Sequence, residues 1–252
     1  MGTKAIWKGQ NLTFFDPQIN STYPAGLWTN CPLLTIRNDM SIGVVHEDDF
    51  RDLDVTSATG KYVALVADGG TAAPSAVANG VAVVTTHTDA NDEAYVKDVT
   101  ASFTLATGKP LWFECRAKWT NSATTLGDFI VGLMTVGGAA NTLLDTQGGP
   151  VATYDGFCFF KLAATAVVQF ETSVATAQVT NATFGTFTSA AWMIFGAYFD
   201  GVSKVTPYLD GVAGTAHTIA LTGSPAAFCF GAKGGTAAEI CSVDYMRIVQ
   251  LR

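Results

Sequence analysis

The sequence predicts an all-β protein built from two packed antiparallel sheets. The stretch Leu111–Trp119 alternates apolar and polar residues without a break, which is the period of a half-buried antiparallel strand. Two Asp-Gly pairs, Asp200-Gly201 and Asp210-Gly211, stand between strand-like runs, and a type I′ hairpin turn needs positive φ at both central positions. No run has the length and period of a convincing helix, so many short strands must bury one another in layers.

Apolar runs of strand length follow one another from residue 42 to the C-terminal end. The predicted strands are Ile42–Phe50, Tyr62–Ala67, Gly80–Thr86, Ala101–Leu105, Leu111–Trp119, Phe129–Thr135, Phe157–Leu162, Val167–Glu171, Ala190–Phe199, Lys204–Leu209, Thr215–Leu221, Ala226–Gly231 and Ile240–Leu251. Between them, Asp68–Asn79 is rich in Gly, Ala, Pro and Ser and is predicted to be a surface loop. Its part Thr71–Ala78 is the best helical candidate, but Pro74 and β-branched neighbours argue against a helix.

Residues 1–43 differ from the sandwich domain predicted for residues 44–252. This segment has three prolines and no sustained period, yet it is too aromatic for a disordered tail. Its aromatic residues are Trp7, Phe14, Phe15, Tyr23 and Trp28. We therefore expect an extended N-terminal arm that is anchored to something. Two interpretations stay open, in which the arm wraps its own domain or docks on a neighbouring subunit.

Composition excludes several classes of function. Charged residues make up 14% of the chain, against about 25% in typical domains, and the formal net charge is −7. No basic stripe is present, so we expect no nucleic-acid partner. No apolar run is long enough to cross a bilayer, and the first residues lack an apolar signal core, so we expect synthesis in the cytoplasm and no membrane partner. The five cysteines lack paired spacing and are predicted to be buried free thiols.

Catalytic carboxylates are hard to find in this sequence. Glycoside hydrolysis needs two carboxylates across a cleft, and acids alternating along one strand would supply them. Glu114 and Glu171 each stand alone on their strands. The acids Glu47, Asp48 and Asp49 are contiguous, so successive side chains are expected to point to opposite faces. No nucleophile elbow is present either. The sequence therefore predicts no enzymatic activity and no catalytic residues.

Metal and cofactor motifs are also missing from the pattern. The histidines are His46, His87 and His217. They are far apart and lack zinc-ligand spacing. Asp89, Asn91 and Glu93 have the alternating spacing of a calcium loop, but Ala94 replaces the expected glycine and Thr100 the closing acid. We therefore predict a solvated turn there, with no metal and no cofactor.

Outward-facing aromatic residues offer a different kind of site. Trp112 lies on the polar face of Leu111–Trp119, and Trp192 and Tyr198 share one face of Ala190–Phe199. Sugar rings could stack on these side chains, or a partner could cover them. The alternative is that the same residues pack beneath a second layer or a loop of this chain.

The runs LWFECRAKW, DGFCFF and YFDGVSKVTPYLDGV resemble the concanavalin A-like, or laminin-G-like, family. The resemblance covers about residues 42–252. It implies a two-sheet antiparallel jelly-roll sandwich in which Asp-Gly pairs mark the hairpins. The hydrolases of this family carry alternating acids that this chain lacks, and the metal cluster of the legume lectins has no match.

The stretches MGTKAIWKGQNL, VVHEDDF, VVTTHTDANDEAYV and LWFECRAKW are similar to head decoration, or cement, proteins of tailed bacteriophages. This resemblance implies a non-enzymatic structural protein on the capsid exterior of a virion. Its partners would be the major capsid protein and further copies of itself, commonly as a homotrimer, with the aromatic residues of the arm in contact with the capsid. The alternative is a lectin-like glycan-binding module on a phage head or tail fibre, and the sequence does not separate these locations.

Overall fold

The structure is a computed structural model. It describes residues 4–8, 11–15, 26–55, 60–75, 80–89, 91–121, 127–137, 139, 142–145, 149–163, 165–221, 224–235 and 237–252, with the backbone alone for 4–8 and 11–15. The elements are β1 Lys4–Lys8, β2 Asn11–Phe15, α1 Leu33–Asn38, β3 Gly43–Asp48, β4 Tyr62–Val66, β5 Thr71–Pro74, β6 Ala82–Thr85, β7 Glu93–Asp98, β8 Phe103–Thr104, β9 Leu111–Thr120, β10 Asp128–Met134, β11 Gly156–Lys161, β12 Val167–Val174, β13 Ala177–Thr186, β14 Trp192–Phe199, β15 Lys204–Leu209, β16 Val212–Ala213, β17 His217–Thr218, β18 Pro225–Lys233 and β19 Ile240–Leu251.

Two antiparallel sheets face each other across the core, which confirms the predicted fold class. Sheet 1 has the order β13-β12-β11-β10-β18-β7-β4, and β8 pairs with β18. Sheet 2 has the order β16-β15-β14-β9-β19-β6-β5, with β17 beside β15 and β3 beside β19. β1 and β2 form a separate hairpin. Among the described residues, no helix is long and apolar enough to cross a membrane.

β9 lies at the centre of sheet 2, between β14 and β19. Its inward residues Phe113, Cys115 and Trp119 are fully buried, as their alternation predicts. The Trp119 ring lies 5.6 Å from that of Phe129 in sheet 1 and 5.0 Å from that of Phe195 in sheet 2. Such ring pairs stabilise a core beyond their buried area, so this strand joins the two layers.

The two Asp-Gly turns differ in geometry. Asp210 and Gly211 have φ values of 49° and 79°, as a two-residue hairpin loop between β15 and β16 requires. At the other pair only Gly201 has positive φ, at 74°. The Asp200 carboxylate instead accepts hydrogen bonds from three consecutive backbone N–H groups, those of residues 202–204, at 2.7 to 3.0 Å. A side chain therefore closes this turn, and it is not the predicted type I′ turn.

Several elements escaped the sequence prediction, and four of them show the reasons. β7 is almost wholly buried, but Glu93, Lys97 and Asp98 hide its strand character in the sequence. β13 is exposed along most of its length at the edge of sheet 1, so it shows no alternation. β5 lies within the predicted loop, at the edge of sheet 2 where Pro74 is tolerated. α1, with six residues, is too short to leave a helical pattern.

The segment 1–43 is not simply extended, because it contains the β1–β2 hairpin and α1. Residues 26–38 pack against the sandwich through Leu27 and Ile36. The five cysteines are free thiols; Cys31 is half-buried and the other four are buried.

Candidate functional site

The outer face of sheet 2 divides into a covered half and an open half. β9 shows the division, because its outward residues change from Trp112 to Glu114, Arg116 and Lys118 along the strand. Trp112 is 3% exposed, whereas the three charged residues are partly exposed. One end of the face is therefore buried under another part of the chain, and the other end remains open to solvent.

Residues 26–38 cover the apolar half. Leu27 and Ile36 form a buried cluster there with Trp112 and Val249. Gly196 on β14 provides the space for Leu27, because a Cβ at this position would lie 2.7 Å from Leu27 Cδ2. This part of the N-terminal segment is thus a third layer over sheet 2.

Trp28 joins the edge of this layer to sheet 2 through a hydrogen bond. Its Nε1 donates a hydrogen bond of 2.7 Å to Glu114 Oε2, and the Tyr245 hydroxyl donates one of 3.1 Å to Glu114 Oε1. The Arg247 guanidinium lies 5.3 Å from the centre of the Trp28 ring. Burial and the neighbouring Glu114 carboxylate raise the pKa of Tyr245, so its hydroxyl stays a donor at neutral pH. Trp28, predicted to contact a capsid, contacts its own sandwich here.

The three predicted glycan-binding aromatics do not form one site. Trp112 is packed against Tyr198, with ring centres 5.4 Å apart, beneath residues 26–38. Of the two interpretations left open for Trp112, packing beneath another part of the chain is therefore correct: alternation places its side chain outside the sheet, and a third layer buries it. Trp192 lies six residues from Tyr198 on the same strand, about 20 Å away, and is half-buried.

The remaining aromatic residues predicted for the arm are in part undescribed. Trp7 lies in β1, and Phe14 and Phe15 lie in β2, but their side chains lie outside what the structure describes. Tyr23 is itself outside the described residues. Capsid contact through these four residues stays a prediction.

The open half of the outer face carries a band of aromatic and charged side chains, which we call the polar band. It consists of Trp192, Lys118, Arg116 and Asp244. The Arg116 guanidinium lies 4.7 Å and the Lys118 ammonium 4.9 Å from the centre of the Trp192 ring. Arg116 Nη1 also donates a hydrogen bond of 2.6 Å to Asp244 Oδ2. These contacts hold the Trp192 ring in place on the surface.

A cleft of about 740 Å³ continues the polar band. It lies where β19 passes from pairing with β6, at residues 240–243, to pairing with β3, at residues 246–251. We call it the acidic cleft, and its lining residues are Glu47, Asp48, Asp49, Asp52, Lys61, Tyr245, Met246 and Arg247. The sequence showed the three contiguous acids, but alternation suggested divergent faces; at the end of β3 all three border one opening.

Ion pairs and hydrogen bonds fix two of these acids. Glu47 forms ion pairs with Arg37 and Arg247. Asp48 accepts hydrogen bonds from Lys61 Nζ at 3.0 Å, from the Tyr62 hydroxyl at 3.0 Å and from the backbone N–H of residue 50 at 2.7 Å. Burial raises the pKa of Asp48, but these donors more than offset it and hold the pKa below its ordinary value. A general acid for glycoside hydrolysis needs the opposite shift.

The outer face of sheet 1 offers no close pair from its buried glutamates. Glu171 on β12 and Glu93 on β7 are separated by four strand spacings, or about 19 Å. Hydrolytic pairs lie at about 5 to 9.5 Å. Glu93 Oε1 accepts hydrogen bonds from the N–H groups of Leu143 and Leu144, which hold this carboxylate in place.

No protein-family model and no curated protein matches the chain. Solved structures with the same fold include a protein of unknown function from Shewanella oneidensis MR-1, 14% identical over 84% of this chain and 87% of that one, with a TM-score of 0.59. A β-glucanase of Bacillus licheniformis is 13% identical over 82% and 98%, with a TM-score of 0.54. A seed lectin of Lotus tetragonolobus is 8% identical over 83% and 99%, with a TM-score of 0.55. These similarities show a concanavalin A-like jelly-roll sandwich.

Proposed function

We propose that this chain is a non-enzymatic carbohydrate-binding protein that holds glycans across the polar band and the acidic cleft. The observation that carries the proposal is the open acidic cleft, whose lining residue Tyr245 lies opposite Arg116 of the polar band. Ligand sites are concave and typically enclose about 300 to 1,000 Å³. A polar lining of this kind suits a ligand covered with hydroxyl groups better than it suits an apolar ligand.

The chemistry of the surface indicates the class of glycan. Carboxylates accept hydrogen bonds from sugar hydroxyls, and the Trp192 ring offers an apolar platform for a sugar ring. The surface from β14 to β3 spans three strand spacings, or about 14 Å, so it fits an oligosaccharide better than one sugar. Four acids against Lys61 and Arg247 leave the cleft negative. We therefore expect neutral or amino sugars to bind and sialylated or sulfated glycans to be rejected.

The fold supports this proposal without deciding it. A seed lectin and a β-glucanase share the sandwich, and one architecture commonly hosts several functions. Binding without hydrolysis agrees with the distance of about 19 Å between Glu171 and Glu93, the buried glutamates of sheet 1, which is too long for a hydrolytic pair. The depressed pKa of Asp48 argues against a general-acid role for the most buried acid of the cleft.

A glycan array tests the proposal, with neutral, amino-sugar and sialylated oligosaccharides as probes. Trp192→Ala and Asp49→Asn should each weaken binding of the best neutral or amino-sugar glycan by about tenfold or more. Val202→Ala, in the exposed turn after β14, is the control and should bind as the wild type does. Failure of the wild type to bind, or unchanged binding by both variants, would contradict the proposal. Release of reducing ends from a bound glycan would show a hydrolase instead.

Capsid decoration is the second candidate, and one observation favours it. Among the described strands, β1 and β2 pair only with each other, so the hairpin is not part of either sheet. It could therefore add to a neighbouring subunit, with the major capsid protein and further copies of this chain as partners on a virion. Binding to the assembled lattice alone would stabilise the shell.

Removal of residues 1–25 tests this second candidate. The truncated chain keeps residues 26–38 and their contacts with sheet 2, so it should fold. We expect it to lose occupancy on purified capsids. A copy number in virions close to the number of lattice sites would support decoration, whereas full occupancy by the truncated chain would contradict docking through the hairpin.

A further inference from the structure

The β6–β7 and β18–β19 connections meet at one end of the sandwich, next to the start of β7. Backbone hydrogen bonds join the two connections. The backbone N–H of Thr86 donates to Glu239 O at 3.0 Å, that of Asn91 to Gly234 O at 3.0 Å, and that of Gly234 to Asp92 O at 2.7 Å. These bonds hold the backbone at residues 86, 91 and 92 in place.

This fixed backbone brings one imidazole and two carboxylates together. His87 Nδ1 lies 3.2 Å from Asp89 Oδ2 and 3.6 Å from Asp92 Oδ2. One ligand atom from each residue lies within 4.8 Å of the other two. The two distances from His87 Nδ1 suit atoms that surround one small cation, because metal bonds of about 2 Å hold two ligand atoms at most about 4 Å apart.

Two atoms at the centre of the cluster have no hydrogen-bond partner. The Asp92 side chain is 8% exposed, and its Oδ2 is buried and unpaired. His87 Nδ1 is likewise buried and makes no well-formed hydrogen bond, and the polar atoms that face it are the carboxylate oxygens of Asp89 and Asp92. A buried carboxylate oxygen without a partner is costly, so native proteins pair such atoms with donors or with metal ions. These two atoms lie 3.6 Å apart.

The electrostatics of the cluster also calls for a positive charge. Asp89 Oδ2 and Asp92 Oδ2 lie 3.2 Å and 3.6 Å from the same nitrogen of His87, so two carboxylates face one imidazole. A divalent cation would relieve this repulsion directly.

We propose that His87, Asp89 and Asp92 bind one divalent transition-metal ion, with Zn²⁺ as the best fit. An imidazole nitrogen with two carboxylates is a donor set that Zn²⁺ accepts, whereas Ca²⁺ prefers oxygen ligands alone. The Asp89 side chain is 72% exposed and that of His87 43%, so the ion can enter from solvent and keep water at its remaining position. The sequence concealed this site because only the fold joins His87 with Asp92, a residue outside the alternating Asp89–Glu93 pattern.

Calorimetric titration of the untagged, metal-free, full-length chain tests the proposal, with ZnCl₂, MnCl₂ and CaCl₂ as titrants. We expect one Zn²⁺ per chain, bound more tightly than Ca²⁺. His87→Ala and Asp92→Asn should each weaken Zn²⁺ binding by about 10-fold to 100-fold or more. His46→Gln removes a histidine outside the cluster and should leave the affinity unchanged. Absence of Zn²⁺ binding, tighter binding of Ca²⁺, or wild-type affinity in Asp92→Asn would overturn the assignment.

Two further measurements distinguish loss of the metal site from misfolding of the variant and from binding of the metal to a cysteine thiol. Zn²⁺ should raise the melting temperature of the wild type but not that of Asp92→Asn, which without metal should be at least as stable as the wild type because a buried repulsion is gone. Co²⁺ bound at this site should show visible absorption without a thiolate charge-transfer band. Such a band would place the ion on a cysteine such as the half-buried Cys31 and would overturn the proposal.

Discussion

Glu93 should make the free energy of unfolding depend on pH. The side chain is fully buried on the outer face of sheet 1, where its Oε1 accepts hydrogen bonds of 3.0 and 3.2 Å from the N–H groups of Leu143 and Leu144. Burial raises the pKa of Glu93 from 4.5 to about 7, although Lys233, its neighbour across the β7–β18 pair, and the two N–H groups oppose the shift.

The sign of the effect follows from this upward shift. The folded state binds the Glu93 proton more tightly than the unfolded state does. The resulting stabilisation is fully present below about pH 4.5, and it is lost as the pH rises through about 7. The difference between these two pKa values corresponds to about 3 kcal/mol of unfolding free energy.

Urea unfolding of the wild type and Glu93→Gln at about pH 4.5 and about pH 8 measures this contribution. Glutamine keeps a carbonyl oxygen that can accept from Leu143 and Leu144. Relative to the wild type, the variant should gain about 3 kcal/mol between the two pH values. Asp52→Asn, which removes an exposed carboxylate, reports the effect of net charge alone. A difference between Glu93→Gln and the wild type that stays constant with pH, or that moves in the opposite direction, would refute the reasoning.

Three other predictions concern the third layer and the thiols. Removal of residues 1–25 should leave the urea midpoint nearly unchanged, whereas removal of residues 1–42 should lower stability by several kcal/mol, because Leu27 and Ile36 each contribute about 1.5 to 3 kcal/mol of apolar burial; equal midpoints would contradict the layer. Trp28→Phe should cost about 1 to 3 kcal/mol in the same assay, since Glu114 Oε2 loses its donor; no loss of stability would contradict that role. Burial raises the pKa of the Cys31 thiol to about 12, and the other four cysteines are buried. The native chain should therefore react slowly with a thiol reagent, whereas the unfolded chain should show five reactive thiols. A fast-reacting native thiol would contradict this last prediction.

The strands that the sequence predicted best are those with one buried and one exposed face. Leu111–Trp119 alternates because the core lies on one side only at most of its positions, and Asp210-Gly211 marks a hairpin because few residues tolerate positive φ. β7 was missed because its charged residues are buried by partners that are distant in sequence, such as Lys233 opposite Glu93. Local periodicity contains no information about such partners.

The acidic cleft and the metal cluster were missed for the same physical reason. The acids at the end of β3 border one opening only because β19 changes partner strand beside Tyr245. His87 and Asp92 meet only because hydrogen bonds to residues 234–239 fold the loop between β6 and β7. In both cases the side chains are close in sequence, but the conformation that brings them together depends on pairing with segments more than a hundred residues away.

Trp112 shows what alternation can and cannot determine. A period of two establishes that its side chain leaves the sheet on the side away from the core, but whether water or another layer lies on that side depends on the remaining chain. A signal for the layer was nevertheless present in the sequence. The outward positions near Trp112 are apolar or small, as at Gly196 and Val249, whereas those near Arg116 and Lys118 are charged. A change of this kind along one strand marks where a covering segment ends, and it therefore also marks where a ligand can reach the sheet. By this reasoning the described part of the outer face of sheet 2 is scaffold at the Trp112 end and is open to solvent towards the Trp192 end.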